Sequence, residues 1–133
     1  MNEVVKFLQS NPIQYLATVG QDNKAKCRPF TFVGEIDEKL WFCTDNQHEA
    51  YMDMQYNPWV EFAGQSSEKS WMRLNGKAVF EENMEAKKIC LSIPLVKEYY
   101  KTADNPALAV FYLADAHAQI ADMYENSPKQ YDL

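Results

Sequence analysis

The sequence predicts a mainly β (α+β) fold, an antiparallel β-barrel of about six strands with peripheral helices. Strand-like runs follow one another with short turns between them, which is the order expected of hairpins. Two or three helical segments lie among these runs, and no linker, repeat or low-complexity tract divides residues 1–133. We therefore expect a single domain, large enough to bury about two-thirds of its unfolded surface.

The first half of the chain alternates helical and strand patterns. The stretch NEVVKFLQS has apolar residues at helical spacing, and the NP that follows it ends the helix at Pro12. IQYLATVG predicts a strand before the turn GQDNK, and AKCRPFTFV predicts a second strand running toward Ile36. A turn at Asp37–Lys39 leads into a third strand, Leu40–Thr44, and a short helix is expected over His48–Tyr56.

The second half contains further strands and the main amphipathic helix. WVEFAG and WMRLNGKAVF predict the fourth and fifth strands, joined by the polar loop QSSEKS. ENMEAKKICLSIP predicts a helix that Pro94 ends, and LVKEYYK adds a further turn or two of helix. ALAVFYLADAHAQIADMY predicts two short strands around Ala114-Asp115. The apolar residues of the amphipathic helix available for burial are Met84, Ile89, Leu91 and Ile93.

Composition excludes several classes of protein. The net charge is −6 with no block of basic residues, so we expect no nucleic-acid binding. No apolar run approaches the roughly 20 residues that span a bilayer, and the N-terminus does not have the pattern of a secretory signal. Cys27, Cys43 and Cys90 are odd in number and far apart, which argues against a disulfide framework and against a zinc site. A reducing cytoplasm is the expected setting.

Motifs for phosphate-binding loops, hydrolytic triads and metal sites are not found in the sequence. There is no G-x-G-x-x-G or G-x-x-x-x-G-K-[ST], and the two histidines, His48 and His117, do not lie in a nucleophile context. We interpret His48-Glu49 as a solvated helix start rather than an acid–base pair, and His117 as a structural or exposed residue. We therefore expect no catalytic side chain and no metal site.

The strand AKCRPFTFV contains an arginine and a proline in its middle. Proline has no N–H for a sheet ladder, so Pro29 is tolerated only at an edge or a bulge, where ligands also bind. Arg28 has a planar guanidinium suited to a phosphate, and the fifth strand adds Trp71, Arg73 and Lys77. On these residues alone two interpretations stay open: a ligand site, or an arginine on a solvated face beside a proline that blunts an edge.

Five features in order resemble the pyridoxamine 5′-phosphate oxidase-like, FMN-binding split-barrel superfamily. They are an N-terminal helix followed by YLATVGQDNKAKCRPFTFV, LWFCTDN, YNPWVEF and SWMRLNGKAVFEE. The likeness extends over about residues 3–122 and is greatest to the short branch of nitroimidazole-reductase-like and general-stress proteins. It implies a six-stranded split barrel that forms a homodimer, with two FMN sites at the subunit interface.

The resemblance also implies which residues bind FMN. In such proteins the strand matching CRPF lines the isoalloxazine and the phosphate, so Arg28 takes a phosphate or ring-edge role. The end of the third strand meets the flavin or its ribityl chain, and the fifth strand approaches from the same or the other subunit. The residues expected to contact the cofactor are Arg28, Pro29, Phe30, Cys43, Thr44, His48, Trp71 and Arg73.

Two segments depart from the pattern of the family. Many members carry a serine or a basic residue, often lysine, after the third strand, whereas this chain has NQHEA with Glu49 in that segment. His48 near a helix N-terminus can donate to a phosphate, but Glu49 works against it. The chain ends NSPKQYDL, without the basic and histidine residues of the true pyridoxamine phosphate oxidases, so vitamin B6 oxidation is not expected.

The resemblance leaves three functions open. The first is an FMN-dependent oxidoreductase that passes electrons from a reduced nicotinamide, NADH or NADPH, to a small oxidant such as a nitroaromatic or a quinone. The second is a non-catalytic dimeric barrel that holds FMN or haem for sensing or storage. The third is a structural dimer without a ligand. The aromatic residues beyond what a small core holds also favour a dimer interface. They are Trp41, Trp59, Trp71, Tyr99 and Tyr100.

Overall fold

The computed structural model describes residues 1–124 and 127–133, which form seven strands and four helices. The strands are β1 (Ile13–Val19), β2 (Ala25–Ile36), β3 (Lys39–Asp45), β4 (Trp59–Gln65), β5 (Ser70–Phe80), β6 (Leu108–Asp122) and β7 (Lys129–Asp132). The helices are α1 (Asn2–Ser10), α2 (Glu49–Tyr56), α3 (Met84–Cys90) and α4 (Pro94–Tyr100). None of these helices is long and apolar enough to cross a bilayer.

Six of the strands close into an antiparallel barrel. Their order is β3-β2-β1-β4-β5-β6, and the pairing of β6 with β3 completes the circle. β7 pairs with β6 outside this circle, so the predicted six-stranded barrel with peripheral helices is confirmed, with one additional strand. The turn between β2 and β3 has two residues with positive φ, Asp37 at 52° and Glu38 at 62°, as expected of a tight hairpin.

Pro29 lies where β2 has a neighbouring strand on one side only. Residues Ala25–Thr31 pair with β1, whereas the described pairing with β3 begins at Phe32. The N–H of Phe32 donates to the carbonyl of Pro12 beside β1, so the alternation of an antiparallel ladder directs the nitrogen of Pro29 to the unpaired side. The proline therefore removes no ladder hydrogen bond, which agrees with its predicted place at an edge.

Aromatic side chains fill the barrel. Phe42 of β3 and Phe62 of β4 are stacked with ring centroids 4.1 Å apart, and Phe111 of β6 lies 5.7 Å from Phe42. Phe30 of β2 packs edge-on against Phe62 and Phe111. Burying each such side chain stabilises the fold by roughly 1.5–3 kcal/mol, so this cluster ties four strands of the barrel together.

The region of α3 and α4 differs from the prediction in two ways. α3 ends at Cys90, and Pro94 begins α4 instead of ending α3, because the fixed φ of proline suits a first helical turn. α3 buries Ala86, Lys87 and Cys90, whereas Met84 is exposed. Ile89 packs against the core beside Ala86, so Met84 is the one residue of the predicted set that is exposed. The other residues expected to be buried are half-buried: Ile89, Leu91 and Ile93.

β6 is one strand of 15 residues rather than the two short strands predicted. The predicted break at Ala114-Asp115 is a bend, because Asp115 has a φ of 50° and the register with β5 shifts between Asn75 and Lys77. Gly76 lies at this shift, where a Cβ atom would come within 2.9 Å of the Ala114 carbonyl oxygen. A bulge of this kind bends a strand without ending it.

Cys43 of β3 and Cys90 of α3 form a disulfide, which corrects the expectation that the cysteines are unpaired. Their Cα atoms are 6.9 Å apart, and 47 positions separate them in the sequence. Because the pair is brought together by the packing of α3 on the sheet, no local spacing pattern indicates it. Cys27 remains a free, exposed thiol.

Candidate cofactor-binding site

The outward side of β2, β1, β4 and β5 is an exposed and largely apolar surface, called the outer face below. Pro29, Tyr15, Ala63 and Arg73 are in register across the four strands, and residues in register project to the same side. Tyr15 is 53% exposed. An exposed face of this kind is typical of a binding or interaction surface. The outer face includes Ile13, Tyr15, Ala17, Pro29, Trp59, Glu61, Ala63, Trp71, Arg73 and Lys77.

Two clefts indent the outer face. The larger has a volume of about 590 Å³ and is lined by Tyr15, Trp71 and Arg73 among others. The smaller has a volume of about 390 Å³ and is lined by Ala17 and Thr18 among others. Because Tyr15 and Ala17 are successive outward residues of β1, the two clefts adjoin each other. Both volumes are in the range of small-molecule sites.

Arg73 is positioned in the larger cleft by an ion pair. Its Nη2 atom donates to Oε1 of Glu61 at 3.2 Å. The pair is solvent-exposed and adds little to stability, but it holds a guanidinium in the cleft that Trp71 also lines. An aromatic surface with a fixed donor at its margin suits a planar ligand whose edges are polar.

Arg28 lies on the opposite side of β2 from Pro29, and four acceptors surround its guanidinium. Nη1 donates to Oγ1 of Thr18 at 2.7 Å and to the carbonyl of Leu16 at 3.4 Å. Nη2 lies 3.3 Å from Oδ2 of Asp53 and 3.6 Å from Oε1 of Glu49. Asp53 is buried and also accepts a hydrogen bond from the Thr18 hydroxyl. Arg28 therefore does not lie on a solvated face: it joins α2 to β1 and β2.

The structure groups some of the predicted cofactor residues and separates others. Pro29, Trp71 and Arg73 share the outer face, as the register of the strands requires. Phe30 and Thr44 instead face the inside of the barrel: Phe30 packs in the aromatic core and Thr44 is 9% exposed. These two residues support the strands of the site and do not line either cleft.

The remaining two predicted residues lie away from the outer face. Cys43 is directed toward α3 through its disulfide with Cys90. His48 is the N-cap residue of α2 and makes no side-chain capping bond; its side chain is two-thirds exposed, with Nε2 4.0 Å from Oδ2 of Asp45. His48 and Glu49 thus lie at the exposed start of α2, where Glu49 also pairs with Arg28 and Lys26.

Sequence reasoning missed the carboxylates that hold Arg28. Glu49 and Asp53 are four residues apart in α2, a spacing that places both on one face of a helix. That spacing was readable in EAYMDMQY, but nothing in the sequence shows that this face packs against β2. Tyr15 was missed for a similar reason, since alternation in β1 does not indicate which side is outward.

Three titratable groups outside the clefts have shifted pKa values. A hydrogen bond from the Lys24 backbone lowers the pKa of Asp22. Burial and a 2.7 Å hydrogen bond to Asp45 raise the pKa of Tyr100 well above its ordinary value. Hydrogen bonds to Asp132 and Gln130, at 2.7 and 2.6 Å, raise the pKa of His117. In the part of the chain that the structure describes, no three His, Cys, Asp or Glu side chains are grouped as metal ligands.

A closed six-stranded antiparallel barrel with short peripheral helices defines the split-barrel class of protein. The family model described as pyridoxamine 5′-phosphate oxidase matches residues 1–123, and the chain belongs to this family. The resemblance seen in the sequence motifs is thereby confirmed. A comparison with curated proteins gives no match.

Solved structures agree with this assignment. A NimC/NimA family protein from Clostridium acetobutylicum is 28% identical, with a TM-score of 0.88 over 100% of this chain and 92% of that chain. General Stress Protein 26 from Bacillus anthracis is 20% identical, with a TM-score of 0.79 over 99% and 97% of the two chains. A pyridoxamine 5′-phosphate oxidase-related, FMN binding protein from Nostoc punctiforme is 14% identical, with a TM-score of 0.70 over 97% and 87%. The last two likenesses show the fold alone.

Proposed function

We propose that this protein is a flavin-dependent oxidoreductase that passes electrons from a reduced nicotinamide to a small oxidant of the nitroaromatic or quinone type. The observation that carries the proposal is the larger cleft of the outer face, where Tyr15 and Trp71 offer aromatic surface beside the guanidinium of Arg73. Membership of the family supports a flavin, and the resemblance of the sequence motifs to nitroimidazole-reductase-like proteins supports a small oxidant.

The ring and the phosphate of FMN need different residues. The isoalloxazine is planar and apolar with polar edges, which matches the larger cleft. The phosphate is an anion that needs cationic donors. Arg28 and Lys26 are both paired with carboxylates on the other side of the sheet, whereas Lys77, in register with Trp59 of the smaller cleft, is an exposed cation on the outer face. The larger cleft thus supports binding of the ring, and Lys77 would be the donor to a phosphate that extends toward the smaller cleft.

When bound, the flavin supplies the redox chemistry, so no side chain has to act as a general acid or base. The role of the chain is to bind and orient. Trp71 and Tyr15 would pack against the ring and exclude water, and Arg73, held by Glu61, would donate to a polar ring edge. A protein that only binds and orients the flavin needs no catalytic side chain, and the sequence contains no recognisable one.

We further propose that a second copy of this chain covers the outer face. Ile13, Tyr15 and Trp59 are 60%, 53% and 55% exposed and lie on that face, and a stable interface would remove them from water. The expectation that Trp41, Trp59, Trp71, Tyr99 and Tyr100 favour a dimer interface is only partly supported by where these residues lie. Trp41 is buried under α3, and Tyr99 is exposed on α4 instead.

Sedimentation tests the dimer. We expect a dimer mass at micromolar concentration and expect Trp59→Glu to give monomers. Tyr99→Glu, which changes a more exposed aromatic residue on α4, should leave the dimer intact. A monomer mass for the unmodified protein contradicts the proposal.

The visible spectrum and reduction kinetics test the oxidoreductase. We expect flavin bands in the protein after free flavin has been removed by gel filtration, bleaching by NADH or NADPH in stopped flow, and recovery on addition of a nitroaromatic compound. Trp71→Ala should weaken flavin binding about tenfold or more, whereas the control Tyr99→Ala should not. If neither nicotinamide reduces the bound flavin, the oxidoreductase proposal fails and the protein is a non-catalytic flavin-binding barrel. A Soret band would show that the ligand is haem. The lack of flavin and haem bands would support a structural dimer without a ligand.

A further inference from the structure

The two helices between β5 and β6 are attached to the barrel by few side chains. α3 has seven residues, of which it buries Ala86, Lys87 and Cys90. Every residue of α4 is at least partly exposed, and this helix bonds to β3 through the Tyr100 hydroxyl, which donates to Asp45 at 2.7 Å. Helices as short as these are not stable on their own, so they keep their place through such contacts.

The non-covalent contacts of α3 give it a weak attachment to the sheet. Ala86 and the half-buried Ile89 pack against a small second core. Burying the single methyl group of an alanine stabilises little. The buried ammonium of Lys87 is paired with Glu82, which is 76% exposed and precedes α3, so this ion pair lies within the connection itself. The other buried residues of the second core are Ile36, Trp41 and Val110.

The disulfide between Cys43 and Cys90 joins α3 covalently to β3. Cys90 is the last residue of α3, and Cys43 packs against the second core. While the bond is intact, α3 stays within the reach of two side chains from β3. Cys43 is half-buried whereas Cys90 is fully buried, so a thiol from solvent meets the sulfur of Cys43 first.

α3 also forms part of the wall of a cavity of about 510 Å³. Lys87 of α3, Tyr51 of α2 and Val110 of β6 are among the residues that line it. Val110 belongs to the second core as well, so the cavity adjoins the surface that α3 covers. Movement of α3 away from the sheet would therefore widen this cavity and bring the ammonium of Lys87 into contact with solvent.

We propose that the disulfide between Cys43 and Cys90 is a redox-sensitive link, and that its reduction releases α3 from the sheet and opens the cavity beside Lys87. The barrel stays closed, because both cysteines lie outside the aromatic core that fills it. The proposal does not depend on a bound flavin.

The reductant of this step is a dithiol. One of its thiolates attacks Sγ of Cys43, and Cys90 leaves as a thiolate that takes up a proton. The second thiol of the reductant then attacks the mixed disulfide, which releases Cys43 as a thiol and leaves the reductant as a disulfide. The protein gains the two electrons and two protons that the reductant loses.

Hydrogen exchange of the whole protein, with and without dithiothreitol, tests the release of α3. We expect the amides of α3 to exchange about tenfold faster or more after reduction, and those of β4 and β5 to change less than about twofold. Cys90→Ser without reductant should exchange like the reduced protein, and reductant should not change it further. Cys27→Ser is the matched control: it removes the free thiol and should respond to reductant as the unmodified protein does.

Acetylation of lysine by an amine-reactive ester tests the opening of the cavity. Lys88 is exposed and adjoins the buried Lys87, so it serves as the internal reference. We expect acetylation of Lys87 relative to Lys88 to rise about tenfold or more after reduction.

The release of α3 is overturned if its amides exchange equally in the oxidised and reduced protein. It is also overturned if reduction or Cys90→Ser speeds exchange in β4 and β5 as much as in α3, because the disulfide then stabilises the whole fold. Faster exchange of α3 without a change in acetylation of Lys87 overturns the opening of the cavity.

Discussion

Replacement of Arg28 by alanine should destabilise the fold through the buried carboxylate of Asp53. The carboxylate is 5% exposed and has two partners, the Thr18 hydroxyl at 2.9 Å and the Arg28 guanidinium at 3.3 Å. Removing one partner of a buried ion pair costs about 3–5 kcal/mol, because the other charge is left without compensation. Since the Arg28 side chain is 22% exposed and Thr18 still donates to Asp53, we expect a loss of about 2–3 kcal/mol in the free energy of unfolding.

Urea denaturation in a double-mutant cycle measures this interaction. With an m-value of about 2 kcal/mol/M for a chain of this size, Arg28→Ala should lower the midpoint by about 1 M. Asp53→Asn removes the buried charge, so the double variant should be at least about 1 kcal/mol more stable than the sum of the single losses indicates. Arg73→Ala is the matched control, because its pair with Glu61 is exposed and should contribute less than about 1 kcal/mol.

Two results would refute this reasoning about Arg28. One is a free energy of unfolding for Arg28→Ala within about 0.5 kcal/mol of that of the unmodified protein, which would mean that water replaces the guanidinium beside Asp53. The other is additivity of Arg28→Ala and Asp53→Asn within about 0.5 kcal/mol, which would mean that the two side chains are not energetically coupled.

Three further predictions concern other parts of the fold. The hydrogen bond from His117 to Asp132 raises the pKa of His117 in the folded protein, so the bond stabilises the fold fully below the unfolded pKa near 6.5. This contribution is lost as the pH rises through the folded pKa. The urea midpoint of the unmodified protein should therefore fall with rising pH more steeply than that of His117→Ala. Tyr100→Phe removes the bond to Asp45 and should cost about 1 kcal/mol by the same assay, and an unchanged midpoint would contradict this. Thiol titration of the denatured protein should find one thiol, that of Cys27, without reductant and three after reduction; three without reductant would exclude the disulfide.

The sequence alone determined where the strands and helices lie, because their signals are local. Alternation, helical spacing and turn residues act over a few neighbouring positions, and they located α1, α2 and the first five strands closely. Pro29 by itself also predicted an edge or a bulge, since a residue without an N–H has few permitted places in a sheet. The order of the motifs was sufficient to predict the family.

Local signals were insufficient where a residue's role depends on a partner far along the chain. The disulfide joins positions 47 apart, and the two strands expected around Asp115 are one because pairing with β5 continues through the bend. The apolar spacing around α3 placed Ile89 correctly against the core but not Met84, which is exposed because packing against the sheet decides which residues of a seven-residue helix are buried.

Arg28 shows what the sequence predicts and what only the tertiary structure decides. The sequence predicted an arginine in a flavin-lining strand, beside a proline at an edge. Only the tertiary structure decided that α2 packs where Glu49 and Asp53 reach the guanidinium, which turns a cation expected to be available for phosphate into the centre of an ion-pair cluster. Charge in a sequence is a property of one residue, whereas its availability to a ligand depends on every group that folding brings within a few ångströms of it.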